Sequence, residues 1–197
     1  SPSRLEEAIK PVVTELEQMP QTAKWYKGNT HTHSTYSDGD TSALEAIEWY
    51  QSNNYNFLFV TDHNYPLQPD SIYENYYNHF ITIPGNEVSD IRAIHSSALN
   101  TKCYIPYVAG YKNKIKNNEL QTSILDPLPQ TTADVVEFHA TQILRKGGLP
   151  ILNHPNFQSG VYAKDIIPIK KLKHMEIYNG HPDVYNDGNE KHAPVEV

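Results

Sequence analysis

Cysteine is nearly absent from the 197-residue chain: Cys103 stands alone, so no internal disulfide and no cysteine-based zinc cage is available. Basic residues are also scarce. Sixteen Lys and Arg against 23 Asp and Glu give a formal net charge of −7, which argues against a nucleic-acid partner because no stripe of cations is left to neutralise phosphates. The short basic stretch at 169–173 (IKKLK) reads as a solvated edge. No apolar run approaches the roughly 20 residues of a membrane span, so no membrane partner is expected. The apolar fraction, 38%, is low for a globular protein, and 14 tyrosines add amphipathic bulk to it. The chain opens Ser-Pro-Ser without an initiator methionine or an apolar signal region, as expected of a processed or trimmed form. It reads as soluble; a cytoplasmic location and export with the signal already removed both stay open. The oligomeric state leaves no mark in the sequence.

What is present is one domain's worth of alternating strand and helix patterns. Residues 1–24 form an amino-terminal extension, helical over 1–20, where Leu5, Ile9, Val12, Val13 and Leu16 share a face and Pro20 closes the segment. The main domain is 25–197. It begins with a strand at 27–33 and a helix opened by the capping box Ser42-x-x-Glu45 and running to about Asn53. Phe57–Val60 is a continuous apolar run, the mark of a strand buried on both faces. Strands are expected again at 80–83, Ile94–Leu99, 149–153 and 174–178, and a helix at 132–146, with Val136, Ala140, Ile143 and Leu144 inward. The polar, proline-punctuated stretch 111–130 reads as a surface loop, and the tyrosines of 73–77 as a helix face covering the fold. This alternation implies a parallel α/β sheet or barrel.

The residues able to do chemistry gather just beyond the strands. His31, His33 and Asp38 follow the first, Asp62 and His63 the second, Glu87 the third; His95 lies near the fourth, and His154 follows the strand at 149–153. In a parallel barrel the carboxyl ends of all strands share one face, and active sites are built there. Two residues apart on extended chain, His31 and His33 point to one side and can hold one ion, although an isolated pair of this kind is as often two surface histidines. Ser37-Asp38-Gly39 is a turn able to aim a carboxylate back at them. Asp62-His63 at the mouth of a buried strand has no simple packing explanation. Glu87, after an expected glycine turn at 84–86, has two oxygens and is the natural bridge between cations. Asn153-His154-Pro155 fixes a histidine at a strand end. His79, His139, His174, His181 and His192 lack such placement and read as structural or exposed. An all-nitrogen-and-oxygen set suits Zn²⁺, Mn²⁺ or Fe²⁺, and clustered ions of this kind serve hydrolysis.

These motifs in this order resemble those of the polymerase-and-histidinol-phosphatase (PHP) superfamily: His31-Thr-His33, Ser37-Asp38-Gly39, Thr61-Asp62-His63, Gly85-x-Glu87, His95 and Asn153-His154-Pro155. The run GNTHTHSTYSDG, with EIYNG at 176–180, looks most like the branch of carbaryl-hydrolase-like metallohydrolases. The likeness spans roughly residues 25–180. It implies a distorted seven-stranded β/α barrel resembling a TIM barrel, two or three divalent metal ions, and a small ester substrate, commonly phosphorylated, attacked by a metal-bridging hydroxide. It also implies that His31, His33 and Glu87 hold a first ion and Asp38 and His63 a second. Glu87 would then bridge to a third ion on His95 and His154, with Glu87 and Asp62 the residues closest to catalysis, Asp62 by orienting its neighbours.

The family's closing Asp-x-His motif does not occur after His154. A barrel left incomplete at its carboxyl end is therefore expected, by truncation rather than loss of the motif, because an unclosed barrel exposes a raw sheet edge. Three readings follow: a metal-dependent phosphoesterase, a metallohydrolase of carboxylic or carbamate esters, and a metal-binding domain without turnover. A phosphate clamp would favour the first, and Arg92 and Arg145 are the candidates for it.

Overall fold

The computed structural model describes residues 23–66, 80–90, 93–108, 129–188 and 190. The expected extension helix at 1–20, the tyrosines of 73–77, Arg92, His79, His192 and most of the loop at 111–130 lie outside the described residues.

Among the described residues six strands form one mixed sheet in sequence order: β1 (Gly28–Asn29), β2 (Phe57–Val60), β3 (Ile81–Asp90), β4 (Ile94–Leu99), β5 (Leu149–Leu152) and β6 (His174–Met175). The sheet is curled. His31, just past β1, and Glu176, just past β6, meet at 2.5 Å, so the two outermost strands converge at this edge.

The expectation of an all-parallel sheet is corrected. β1, β2 and β3 run parallel, as do β5 and β6, but β4 is antiparallel to both of its neighbours. The cause is the third strand, which does not end at residue 83. It continues through Pro84 and Gly85, pairing with β2 as far as Val60↔Pro84 and with β4 from Gly85↔Leu99 to Asp90↔Ile94. Only residues 91–93 then join β3 to β4, too few for the crossover a parallel neighbour needs. The glycine turn expected at 84–86 is thus strand interior. A Cβ at Gly85 would meet the Ala98 carbonyl at 3.2 Å, so this close pairing favours glycine.

Two other strands are shorter than expected. β1 stops at Asn29, whose side chain accepts the His31 amide at 2.8 Å and so takes that group out of any ladder. β6 stops at Met175, although the Glu176 amide still donates to the Leu152 carbonyl at 2.8 Å; Ile177 and Tyr178 turn outward.

Both long helices form where their caps stand. Helix α1 (Ala43–Ser52) opens on Ser42, whose hydroxyl accepts the Glu45 amide while Glu45 takes the Ser42 amide. It lays Ala43 and Ile47 on Leu58, Val60 and Phe80. Helix α2 (Thr132–Arg145) has the same reciprocal cap between Thr131 and Asp134 and ends before Gly147 at φ +76°. Its inward side is Val135, Val136, His139, Ala140 and Ile143; Leu144, expected inward, is 44% exposed. A third, one-turn helix, α3 (Ala163–Ile166), follows β5.

Strand alternation then sorts the two faces of the sheet. From β3 and β4, Val88 and Ala98 pack with Ile143 of α2, and Ile94 packs with Val135 and Val136. Each of these valines and isoleucines contributes about 1.5–3 kcal/mol when fully buried. The alternate residues Glu87, Ser89 and His95 face the concave side. The helices thus hold the sheet from outside, and on its inner face the polar groups gather at one edge, beyond apolar residues such as Phe59 and Leu99.

Candidate metal centre

The inner face carries a buried carboxylate ringed by imidazoles. Glu87 is wholly buried. Its Oε1 lies 3.1 Å from His31 Nε2, 3.2 Å from His154 Nε2 and 3.4 Å from His95 Nδ1. Its Oε2 lies 2.7 Å from His63 Nδ1 and 3.3 Å from His33 Nε2. Two neighbours fix the carboxylate's orientation: Asn153 Nδ2 donates to Oε1 at 2.6 Å and Ser89 Oγ donates to Oε2 at 3.3 Å.

The topology explains why residues so far apart in sequence meet. β1, β2, β5 and β6 deliver His31, His63, His154 and Glu176 just past their carboxyl ends, and β3 carries Glu87 beyond the end of β2. β4 runs the other way, so its beginning, not its end, lies at this edge, and that is where His95 stands opposite Ser89. His33 and Asp38 come from the loop after β1, which folds tightly on itself. The amides of Ser37 and Gly39 both donate to the Ser34 carbonyl, and a Cβ at Gly39 would lie 2.5 Å from the His33 carbonyl carbon. Asp62 is buried beneath this loop. It accepts the Ser34 amide and the hydroxyls of Ser34 and Ser37, at 2.7–2.8 Å. It therefore faces the loop that carries His33 and Asp38 and not the cavity itself. Asp38 closes the constellation from outside, 2.6 Å from His33 Nδ1 and 3.3 Å from His63 Nε2.

Among these side chains charge is balanced by protons. Burial alone would lower the pKa of His31, but Glu87 and then Glu176 outweigh it and raise it to about 10. His63 is likewise lifted against its burial to about 9, by Glu87 and Asp38, and His33 is raised by Asp38 and Glu87. Glu87 is held well below the usual carboxylate range despite burial, by His95, His31 and His63. Asp38 is lowered chiefly by its bond to His33. His95 goes the other way: burial lowers it and the Glu87 charge offsets only part of that.

Two sets of ligand atoms are close enough to share an ion: His31, Glu87 and His154, and His33, His63 and Glu87, each within 4.8 Å of one another. Glu87 belongs to both. The partition differs from the one the PHP resemblance implies, since His33 groups with His63 rather than His31, although His31 Nε2 and His33 Nε2 are only 3.1 Å apart. The side chains fit divalent ions on three counts. All donors are nitrogen or oxygen. Two imidazole nitrogens converge beside one carboxylate. His95 Nδ1 is buried without a hydrogen-bond partner, a state that costs about 1–3 kcal/mol if left unmade.

Around this cluster lies a cavity of about 440 Å³, whose lining also includes Phe157, Asn179, His181 and Val184 after β5 and β6 and Gly39 and Asp40 beside Asp38. The segment from 179 is a tied wall. Asn179 and Asn186 exchange bonds at 3.0 and 2.8 Å, and Phe157 pairs with Val184. His181, read from sequence as structural or exposed, is exposed but reaches this cavity, its ring edge-on to Phe157 at 5.8 Å. His139 lies outside the centre, fully buried between Asp90 (2.9 Å) and Ser96 (3.2 Å). His174 and Arg145 are exposed, and so are the three lysines of 169–173. Glu176 was not read from sequence as a site residue, nor was the Asn153 amide.

No protein-family model matches the chain, and no curated protein matches it. Solved structures do. One is the crystal structure of a two-domain protein from Bacteroides vulgatus ATCC 8482 that contains a predicted PHP-like metal-dependent phosphoesterase. It aligns with a TM-score of 0.49 and 14% identity over 81% of this chain and 46% of that one, so this chain spans less than half of that protein's length. At so remote a likeness, function rests on this chain's own residues. Among the described residues no helix is long and apolar enough to cross a membrane.

Proposed function

We propose that the chain is a metal-dependent hydrolase of the PHP type, in the carbaryl-hydrolase-like branch, acting on a small phosphate ester. On this reading its six strands are the greater part of a distorted seven-stranded barrel. Its ligands hold two or three ions of zinc, manganese or iron through His31, His33, Asp38, His63, Glu87, His95 and His154. The observation that carries the proposal is Glu87: one buried carboxylate whose two oxygens each face a separate set of imidazoles.

Ions bound there would make a coordinated water acidic enough to ionise near neutral pH and would polarise an ester oxygen. The protein's own contributions are readable beside this. Asn153 and Ser89 hold Glu87 in one orientation, so its two oxygens keep their separate directions. Asp62 anchors the loop that presents His33 and Asp38. Phe157 and Val184 give the cavity an apolar wall. His181 lines the cavity, and because its Nδ1 accepts the Asp183 amide at 3.1 Å, its Nε2–H is turned to donate a hydrogen bond to an ester oxygen.

One feature favours the second reading, a carboxylic or carbamate ester. Among the described residues no Lys or Arg lines the cavity, whereas Asp38, Asp40 and Glu87 do. The test is a panel of 4-nitrophenyl phosphate, bis(4-nitrophenyl) phosphate, 4-nitrophenyl acetate and an aryl carbamate, with protein loaded with Zn²⁺, Mn²⁺ or Fe²⁺. Chelator-sensitive release of nitrophenol from a phosphate ester supports the proposal. Turnover confined to the acetate or carbamate moves the assignment to the second reading. Metal-loaded protein inert toward all four is a metal-binding domain and not this enzyme.

A further inference from the structure

We propose that Glu176 is a positioning residue of the metal centre: it selects which nitrogen of His31 is offered to an ion and pins the backbone that carries His154. The inference rests on the metal-centre reading above and extends it to a residue outside the ligand set. Glu176 follows β6, and its amide bond to the Leu152 carbonyl keeps it in register at the edge where the ligands gather.

Three donors converge on its one carboxylate. Oε1 lies 2.5 Å from His31 Nδ1; Oε2 accepts the His154 amide at 2.8 Å and the Asn179 side-chain amide at 3.0 Å. A carboxylate only accepts, so the proton of neutral His31 is held on Nδ1 and the lone pair is left on Nε2. That nitrogen is the one 3.1 Å from Glu87. A ligand imidazole held in this way through its other nitrogen is fixed in tautomer and in ring orientation.

The second contact acts on backbone. His154 has φ +23° although Pro155 follows it, a conformation that costs on the order of 1–3 kcal/mol and lasts only where neighbours over-determine it. Its amide bond to Glu176 is one such determinant, and the strained turn is what brings His154 Nε2 to 3.2 Å from Glu87. Glu176 thus reaches both histidines of one candidate ion group, His31–Glu87–His154, from a single side chain.

The isosteric change Glu176→Gln isolates the role. An amide has one acceptor oxygen and turns a donor toward either His31 or the His154 amide, where three donors need acceptors. Zn²⁺ affinity, measured by competition with a chromophoric chelator, is expected to fall about 10–100-fold in E176Q. Asn179→Ala, which leaves the His31 and His154 contacts in place, should lower it far less. A measurement on the unaltered protein stands beside these and survives any folding defect of the variant. In long-range ¹H–¹⁵N spectra of the zinc-loaded protein, His31 should show a protonated Nδ1 and a metal-bound Nε2. Zinc on Nδ1 overturns the proposal, and so does E176Q that binds Zn²⁺ as tightly as the unaltered protein. An unaltered protein with no Zn²⁺ affinity would instead refute the metal-centre reading on which the proposal stands.

Discussion

Replacing Glu87 with glutamine tests the centre at its hub. The change keeps the shape of the side chain and removes its charge. Glu87 is the only group common to both candidate ion sets, so its loss should empty both sets rather than one. In the metal-free protein its charge also balances the protons on His31 and His63, whose pKa values it helps to lift to about 10 and about 9. Breaking a buried charge pair by removing one partner costs about 3–5 kcal/mol. Part of that returns here, because the imidazoles can shed their protons once the carboxylate is gone. At roughly 2–4 °C per kcal/mol for a chain of this size, the metal-free variant should melt on the order of 10 °C lower near neutral pH. The assay is elemental analysis after loading with Zn²⁺, beside thermal melts with and without metal. Glu87→Gln protein that keeps its zinc and melts within a degree or two of the unaltered protein would falsify the bridging role and the electrostatics together.

Gly39→Ala should weaken Zn²⁺ binding while sparing the α2 core, because the new methyl group meets the His33 carbonyl carbon at 2.5 Å and displaces the loop that presents His33 and Asp38; zinc titration and near-ultraviolet circular dichroism check it. His139→Ala should do the reverse: removing a buried side chain bonded to Asp90 and Ser96 costs about 2–5 kcal/mol in a denaturant melt and leaves Zn²⁺ affinity unchanged. With pKa values raised to about 10 and about 9, His31 and His63 lend the metal-free protein stability that is complete below the ordinary imidazole range and is lost as pH rises through those values. Zinc must displace the same protons, so its affinity should climb between about pH 6 and pH 9 with proton release, read by calorimetry in buffers of differing ionisation enthalpy; binding that is independent of pH would refute the assignment of these residues as ligands.

The helices could be read from the sequence because their signals are local. Ser42-x-x-Glu45 caps α1 as its spacing requires, and α2 begins and ends within one residue of its expected bounds. The seven candidate residues His31, His33, Asp38, His63, Glu87, His95 and His154 line one cavity, although His95 reaches it from the start of an antiparallel strand and not from a strand's carboxyl end. What stayed hidden was long-range. Pro84 and Gly85 have the composition of a turn, yet pairing on both sides keeps them extended. Ending β3 early also concealed the three-residue link to β4, the one sign that β4 had to be antiparallel. Glu176 was masked by its setting, since Met-Glu-Ile-Tyr alternates like strand interior and β6 is only two residues long. Asn153 stands in the Asn153-His154-Pro155 motif, but its bond to Glu87, 66 residues away, becomes visible only when the fold brings the two together.

The extension of β3 bears directly on the chemistry. A bridging carboxylate on a turn, as the sequence implies, would be free to swing toward either ion. Glu87 lies instead in the middle of a ten-residue strand, paired with Ser97 of β4, bridged to His63, and held at both oxygens by Asn153 and Ser89. Ser97 is bound in turn by the Asn153 side-chain Oδ1, which accepts its amide at 3.2 Å, so strand and carboxylate are braced by one side chain. The centre is therefore graded. The carboxylate shared by both candidate sets stands on a strand paired with β4 and is bonded at both oxygens, while Asp38, 38% exposed, stands on a loop.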